Sequence, residues 1–130
     1  MFQTVEIDIN AQLDGWTHAS PVGPFICHQT GRYLIEYDAI VWPDMNVGTY
    51  NAAIRATKNG VEIPGSLSTI RDNQRIRGQE ITRAYIESFN NLDAMLFQWA
   101  ATTTALNLFI NNSITGITKS NFAVTVTRIN

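Results

Sequence analysis

The chain has 130 residues, of which 45% are hydrophobic and 15% charged, with a formal net charge of −2. This length and apolar content suffice for one domain with its own core. A slightly acidic chain lacks the basic surface that nucleic acids and anionic membranes bind, so we expect neither partner. We also find no run of roughly 18 apolar residues that could span a membrane. The first residues lack the basic and apolar regions of a secretory signal, so we expect assembly in the cytoplasm.

Strand patterns recur along the chain, and no window has the apolar spacing of a helix. Alternating apolar and polar residues at 5–9 predict a first strand. Turn-forming residues at 10–24 predict a long connection before a short strand at 25–28. The Asn59-Gly60 pair between two extended runs predicts a hairpin, because both central residues of its tight turn need positive φ.

The stretch at 30–42 has apolar residues on both of its alternating faces. Leu34, Ile40 and Trp42 lie opposite the apolar set that begins at Tyr33. A sandwich strand that is free in solution has one wet face, so a second apolar face predicts a buried subunit contact.

Further strand-like segments follow at 78–89, 93–100, 105–113 and 121–130. About eight or nine antiparallel strands joined by turns are typical of a sandwich or jelly roll. We predict an all-β fold, an antiparallel two-sheet jelly-roll sandwich, as a single domain over 1–130. Residues 1–24 would form an N-terminal strand and connecting arm, and 25–130 the jelly-roll core.

Three groups of residues share their order and separations with a known family. They are Phe25 with Thr30-Gly31-x-Tyr33-x-Ile35, the hairpin Lys58-Asn59-Gly60-x-x-Ile63-Pro64-Gly65-Ser66, and Leu106-x-Leu108 with a closing Ala123-Val124-x-Val126-x-Arg128-Ile129. In these features the chain resembles the tumour-necrosis-factor-like jelly rolls. The heads of bacillus collagen-like spore-surface glycoproteins and related bacteriophage proteins are the most similar. No collagen-like Gly-x-y tract precedes the head, so we expect a compact trimer without a stalk.

The resemblance implies a tight homotrimer whose threefold axis is lined by the strands near 4–10, 32–42, 93–100 and 121–129. Aromatic residues on these strands would pack between subunits, as aromatic side chains commonly do in buried contacts. A sugar-stacking platform is the other interpretation of these aromatic residues. The trimer-interface residues implied are Tyr37, Phe97, Trp99, Phe122 and Val124.

The candidates for chemistry favour structural explanations. Cys27 and His28 are neighbours on a strand and point to opposite faces, so they do not form a nucleophilic dyad. Glu36 and Asp38 share a strand face with Arg32, but acid–base chemistry or a calcium site would need a third partner. A solvated or subunit-bridging ion pair is the favoured interpretation. We predict no catalytic, cofactor-binding or metal-binding residue, and no enzymatic activity.

Two other groups are candidates for docking a different partner. Arg71, Arg75 and Arg77, together with Arg83, form a group of arginines that fits either an acidic protein surface or a solvated loop. Trp16 and His18 stand alone in the long early connection, which predicts a contact outside the trimer.

Together these features predict a non-enzymatic virion protein. It would be a trimeric decoration (cement) protein that binds the major capsid protein on the capsid surface of a tailed bacteriophage. The alternative is a receptor- or glycan-binding trimeric head of a phage fibre or spore-surface protein. A cytokine-like ligand is disfavoured because the chain lacks an export signal.

Overall fold

The computed structural model describes residues 2–5, 7, 14–43, 50–72, 79–101, 106–108 and 122–130. The strands within them are β1 (Gln3–Thr4), β2 (Trp16–Thr17), β3 (Phe25–Cys27), β4 (Gly31–Pro43), β5 (Tyr50–Lys58), β6 (Val61–Glu62), β7 (Ser68–Asp72), β8 (Gln79–Phe89), β9 (Ala94–Ala101), β10 (Leu106–Leu108) and β11 (Phe122–Arg128). These residues include no helix, and so none that could cross a membrane.

The strands form two antiparallel sheets. In the seven-stranded sheet the order is β2-β3-β9-β5-β6, with β1 paired to β9 and β7 paired to β5. In the four-stranded sheet β4 is central, with β8 on one side and both β10 and β11 on the other. The prediction of an all-β fold with two antiparallel sheets is confirmed.

The alternation along β4 orients the four-stranded sheet. Its inward residues Tyr33, Ile35, Tyr37 and Ala39 are at most 1% exposed. Its outward residues are half-buried or exposed. Because successive side chains of a strand point to opposite faces, one strand contributes to the core and to an outer surface at once.

An aromatic cluster fills the space between the sheets. The Phe97 ring on β9 lies 5.9 Å from the rings of Phe25 and Tyr37 and 5.3 Å from that of Phe122, centroid to centroid. These spacings are those of edge-to-face aromatic pairs, which stabilise a core beyond the burial of their area.

The structure places most of the residues implied as trimer contacts in this core. Tyr37 and Phe97 are each 1% exposed and Phe122 is 5% exposed. Trp99 and Val124 are partly buried and pack against the same cluster. In a single chain these side chains therefore face the opposite sheet.

The four strands expected to line one axis also divide between the two sheets. β4 and β11 are neighbours in the four-stranded sheet, whereas β9 belongs to the seven-stranded sheet. Most of the range 4–10 lies outside the described residues, and β1, which meets it at Thr4, pairs with β9. The strand that completes a face with β4 and β11 is β8, which pairs with β4 along its whole length.

The described residues before 25 belong to the seven-stranded sheet. β1 pairs with β9, and the Val5 amide donates to the Phe97 carbonyl at 2.9 Å. β2 pairs with β3, which places Trp16 opposite Cys27. The connection expected over 10–24 thus includes the short strand β2, and the N-terminal stretch before it supplies β1 and the core residue Val5, which is 3% exposed.

The hairpin predicted at Asn59-Gly60 is present between β5 and β6. Asn59 has φ of 52° and Gly60 has φ of 86°, the left-handed conformations that a tight turn of this kind requires.

Candidate interaction surface

The side of the four-stranded sheet that faces away from the core is the candidate interaction surface, called here the outer face. It consists of Arg32, Leu34, Glu36, Asp38 and Ile40 on β4, Glu80, Thr82, Ala84, Ile86 and Ser88 on β8, and Ala123, Thr125 and Thr127 on β11.

Two carboxylates lie at the centre of the outer face between small side chains. Glu36 is flanked across the strands by Thr125 and Ala84. The same register places Asp38 between Ala123 and Thr82. Since the flanking side chains are short, they leave a shallow depression of about 540 Å³ around the carboxylates.

Glu36 and Asp38 are both exposed, and neither forms an ion pair with any described residue. Like charges on one strand face repel each other, although water screens exposed pairs. The centre of the outer face therefore carries negative charge that the described residues leave unneutralised.

Apolar side chains border the carboxylates. Leu34 and Ile40 are half-buried, and Ile86, which lies opposite Leu34, is 49% exposed. Thr127 on β11 lies opposite Leu34 on the side away from Ile86. The outer face thus combines a centre of carboxylates and small side chains with a margin of half-buried and exposed apolar side chains.

Arg83 lies at the side of the same sheet, on β8. Its register partner is Tyr37, so its side chain leaves β8 on the inward side, yet it is exposed. Within the described residues β8 pairs only with β4, which leaves its other edge open. The Arg83 Nε donates to the Gly65 carbonyl at 2.8 Å, and this bond holds the guanidinium across that edge.

A second surface lies at one end of the sandwich, in the turn between β8 and β9. Leu92 has φ of 74° and is 65% exposed, and the Asp93 amide donates to the Asn90 carbonyl at 3.0 Å. The position before the last residue of such a turn normally has glycine or asparagine. A leucine there combines backbone strain with an exposed apolar side chain.

Polar contacts fix this turn against the neighbouring loops. Asp93 accepts from the Asn90 amide at 2.8 Å and from the Asn59 side-chain amide at 2.9 Å. These two hydrogen bonds lower the pKa of Asp93, with the bond from Asn90 as the larger cause. Val61, 71% exposed, follows the Asn59 turn, so it and Leu92 flank this contact.

Trp16 and His18, the aromatic residues expected to dock a different partner, are buried to different degrees. Trp16 is 5% exposed and packs edge-to-face on Tyr33 and Phe89, so its side chain lies in the core rather than on an accessible surface. His18 is half-buried and stacks on Phe25 with ring centroids 4.1 Å apart.

The arginine stretch falls largely outside the described residues. Only the backbone of Arg71 is described, as part of β7, and Arg75 and Arg77 lie outside. Their predicted docking role stays a prediction.

Cys27 and His28 point to opposite sides of their strand, as their adjacency predicted. Cys27 is 0% exposed, and its Sγ donates to the Gln29 carbonyl at 3.2 Å. His28 is exposed and shares a hydrogen bond of 2.8 Å with the Thr17 hydroxyl. Among the residues that the structure describes, no three acidic, histidine or cysteine side chains gather as a metal site.

Sequence reasoning missed Ile86 and Leu92 as surface features, whereas it named Arg83 among the arginines of a candidate docking stretch. For Ile86 a signal existed, because the alternation at 78–89 gives that strand two faces. For Leu92 there was none, since leucine is not a turn former.

Comparison with known proteins adds no relatives. No protein-family model matches the chain, and no curated protein is significantly similar to it. The resemblance to tumour-necrosis-factor-like jelly rolls therefore stays a prediction.

Proposed function

We propose that the chain is a non-enzymatic structural protein that assembles as a homotrimer and decorates the capsid of a tailed bacteriophage, where it binds the assembled coat. The observation that carries this proposal is the outer face. A well-packed sandwich has no internal need for apolar side chains such as Leu34, Ile40 and Ile86 outside its core.

The path of the chain between the sheets supports a jelly roll. β3 lies in the seven-stranded sheet, β4 in the four-stranded sheet, and β5 with β7 again in the first. β8, β9 and β11 then continue the alternation between the two sheets. Repeated crossing of this kind is what two Greek-key connections produce in a double-sheet jelly roll.

The outer face supports self-association. It joins partly exposed apolar side chains to a depression in which Glu36 and Asp38 lie between alanine and threonine, and these small side chains let another chain approach closely. Most soluble oligomers are symmetric assemblies of identical chains. In a trimer, three copies of one weak contact to the coat would act together at high effective concentration.

The end of the sandwich with Val61 and Leu92 supports a coat-facing surface. An L-residue in the left-handed region costs about 1–2 kcal/mol, and an exposed leucine recovers none of this cost by burial. Strained residues persist where a function requires them. The hydrogen bonds of Asp93 hold the turn between β8 and β9 in place, which reduces the conformational entropy that would be lost on binding.

Co-sedimentation with capsids tests the coat-binding role. We expect the protein to sediment with shells assembled from the coat of the virus that encodes it, and not to bind unassembled coat subunits. Leu92→Asn should keep the fold, because asparagine tolerates positive φ, while shell binding weakens. Exposed Val22, elsewhere on the chain, supplies the control variant Val22→Ser, which should bind as the parent does.

Equal binding of the Leu92→Asn variant would exclude this end as the coat contact, and no sedimentation with shells would overturn the decoration role. A receptor- or glycan-binding head is the second candidate function. It would need exposed aromatic side chains beside amides, whereas the large aromatic side chains described on β4, β8 and β11 are buried.

A further inference from the structure

We propose that Arg83 of one copy pairs with Glu36 and Asp38 of the next copy, so that the open edge of one four-stranded sheet contacts the outer face of another. This inference rests on the self-association in the proposed function and names the contact that would produce it.

The acceptor side is the depression at the centre of the outer face. Glu36 and Asp38 are exposed, lie on one strand face, and have no ion-pair partner among the described residues. Thr82, Ala84 and Thr125 leave room around them, and Arg83 of the same copy borders the depression beside β8 without forming an ion pair with either carboxylate. A long cationic side chain entering this space would relieve the repulsion between the carboxylates and could bond both.

The donor side is the open edge of β8. Arg83 is exposed and forms no ion pair with a described carboxylate. Its Nε is bonded to the Gly65 carbonyl at 2.8 Å, which orients the guanidinium and leaves the two Nη groups for another partner. A guanidinium presents its N–H groups in a fixed planar fork that matches a carboxylate.

The two sides are different surfaces of one molecule. Arg83 lies at the edge of the sheet, whereas Glu36 and Asp38 lie on its face, one strand further in. A contact between unlike surfaces of identical chains is heterologous, and it gives a closed ring when the rotation between copies closes. Edge-to-face pairing would therefore produce a ring such as the proposed trimer, and Ile86 and Leu34 would be covered beside the ion pairs.

Charge reversal tests this contact. Sedimentation velocity of the full chain at low and high salt would compare the parent with Arg83→Glu, with the double variant Glu36→Arg/Asp38→Arg, and with the triple variant that combines all three changes. We expect each reversal alone to weaken self-association about tenfold or more, because like charges then meet across the contact. The triple variant should recover most of the assembly, and high salt should weaken the parent.

Asp14→Arg is the matched control, since it reverses an exposed carboxylate elsewhere on the chain. It should assemble as the parent does, and circular dichroism should show every variant folded. A parent oligomer that persists in both reversals would overturn the Arg83 contact and leave the proposed trimer standing. A parent that is monomeric at every concentration would overturn the proposed self-association, and this inference with it.

Discussion

The core-facing side of β4 and its outer side differ in both burial and charge. The core-facing side chains of β4 are buried between the sheets; they are Tyr33, Ile35, Tyr37 and Ala39. The side chains that alternate with them lie on the outer face; they include Leu34, Glu36, Asp38 and Ile40. The inner set accounts for folding of the single chain. The outer set mixes apolar and acidic residues, and it is the surface through which we propose that copies associate.

This contrast separates two kinds of substitution. A change on the inner face should lower the stability of the monomer, because it removes packing that no partner replaces. A change on the outer face should leave the monomer stable and alter only how copies associate. The predictions that follow test the two halves of this statement, beginning with the largest expected effect.

Phe97→Ala should lower the free energy of unfolding by about 3–5 kcal/mol, the usual cost of truncating a buried aromatic residue. Phe97 contacts Phe25, Tyr37 and Phe122 at the centre of the core. Urea denaturation measures the loss. Leu96→Ala on the same strand is the control, and since Leu96 is only half-buried it should cost less. Equal losses at the two positions would contradict the placement of Phe97.

Tyr37→Phe should lower the free energy of unfolding by about 1–3 kcal/mol, because it leaves buried acceptors without a donor. The Tyr37 hydroxyl donates to the Ser66 carbonyl at 2.7 Å and lies 3.0 Å from Ser68 Oγ. Burial raises the pKa of this hydroxyl above its ordinary value.

Tyr85→Phe serves as the control for that substitution. The Tyr85 hydroxyl contacts only the Met95 sulfur, at 3.5 Å, among the described hydrogen bonds, and sulfur is a weak acceptor. Denaturant titration of both variants should show the larger loss at Tyr37. If Tyr85→Phe cost as much, the hydrogen bonds of Tyr37 would not be the cause.

Asp93→Asn should lower the free energy of unfolding by less than Tyr37→Phe does. The size of this decrease should depend on pH. The pKa of Asp93 is lowered in the folded protein by the bonds from Asn90 and Asn59. Its contribution is therefore complete above the unfolded pKa, about 3.9 for an aspartate, and is lost as pH falls through the lower folded value. Thermal melts from neutral to acid pH should show the parent and variant converging. A pH-independent difference would exclude this carboxylate as its source, and Asp14→Asn gives the comparison at an exposed site.

Ile86→Ser should have the smallest effect on the monomer, within about 0.5 kcal/mol, as is usual for surface positions. Ile86 is 49% exposed on the outer face. Self-association measured by sedimentation should nevertheless weaken, because the substitution removes apolar area from the covered surface. Val22→Ser, at a residue that is 59% exposed outside this face, should leave association unchanged. A large loss of monomer stability in Ile86→Ser would contradict the statement that changes on the outer face leave the monomer stable.

Much of the fold followed from local pattern. The Asn59-Gly60 turn and the strand at 31–43 were predictable because each depends on residues close in sequence. The alternation at 30–42 also indicated an apolar outer surface. Local pattern does not decide which apolar residues meet the opposite sheet. A buried aromatic such as Phe97 has the same alternation whether it faces the core or a partner.

Trp16 shows the other limit of sequence reasoning. It has few apolar neighbours in sequence, so it seemed available to a partner, but pairing of β2 with β3 brings it against Tyr33 and Phe89. Contacts between segments that are distant in sequence cannot be predicted from the pattern of neighbouring residues. The strained Leu92 turn is invisible for a related reason, since its φ depends on how two sheets are joined.

The most direct test of the outer face as an assembly surface is the mass of the purified protein by light scattering across a range of concentrations. We predict the mass of a trimer of the 14.5 kDa chain. A mass of one chain at every concentration would contradict the assembly role of the outer face.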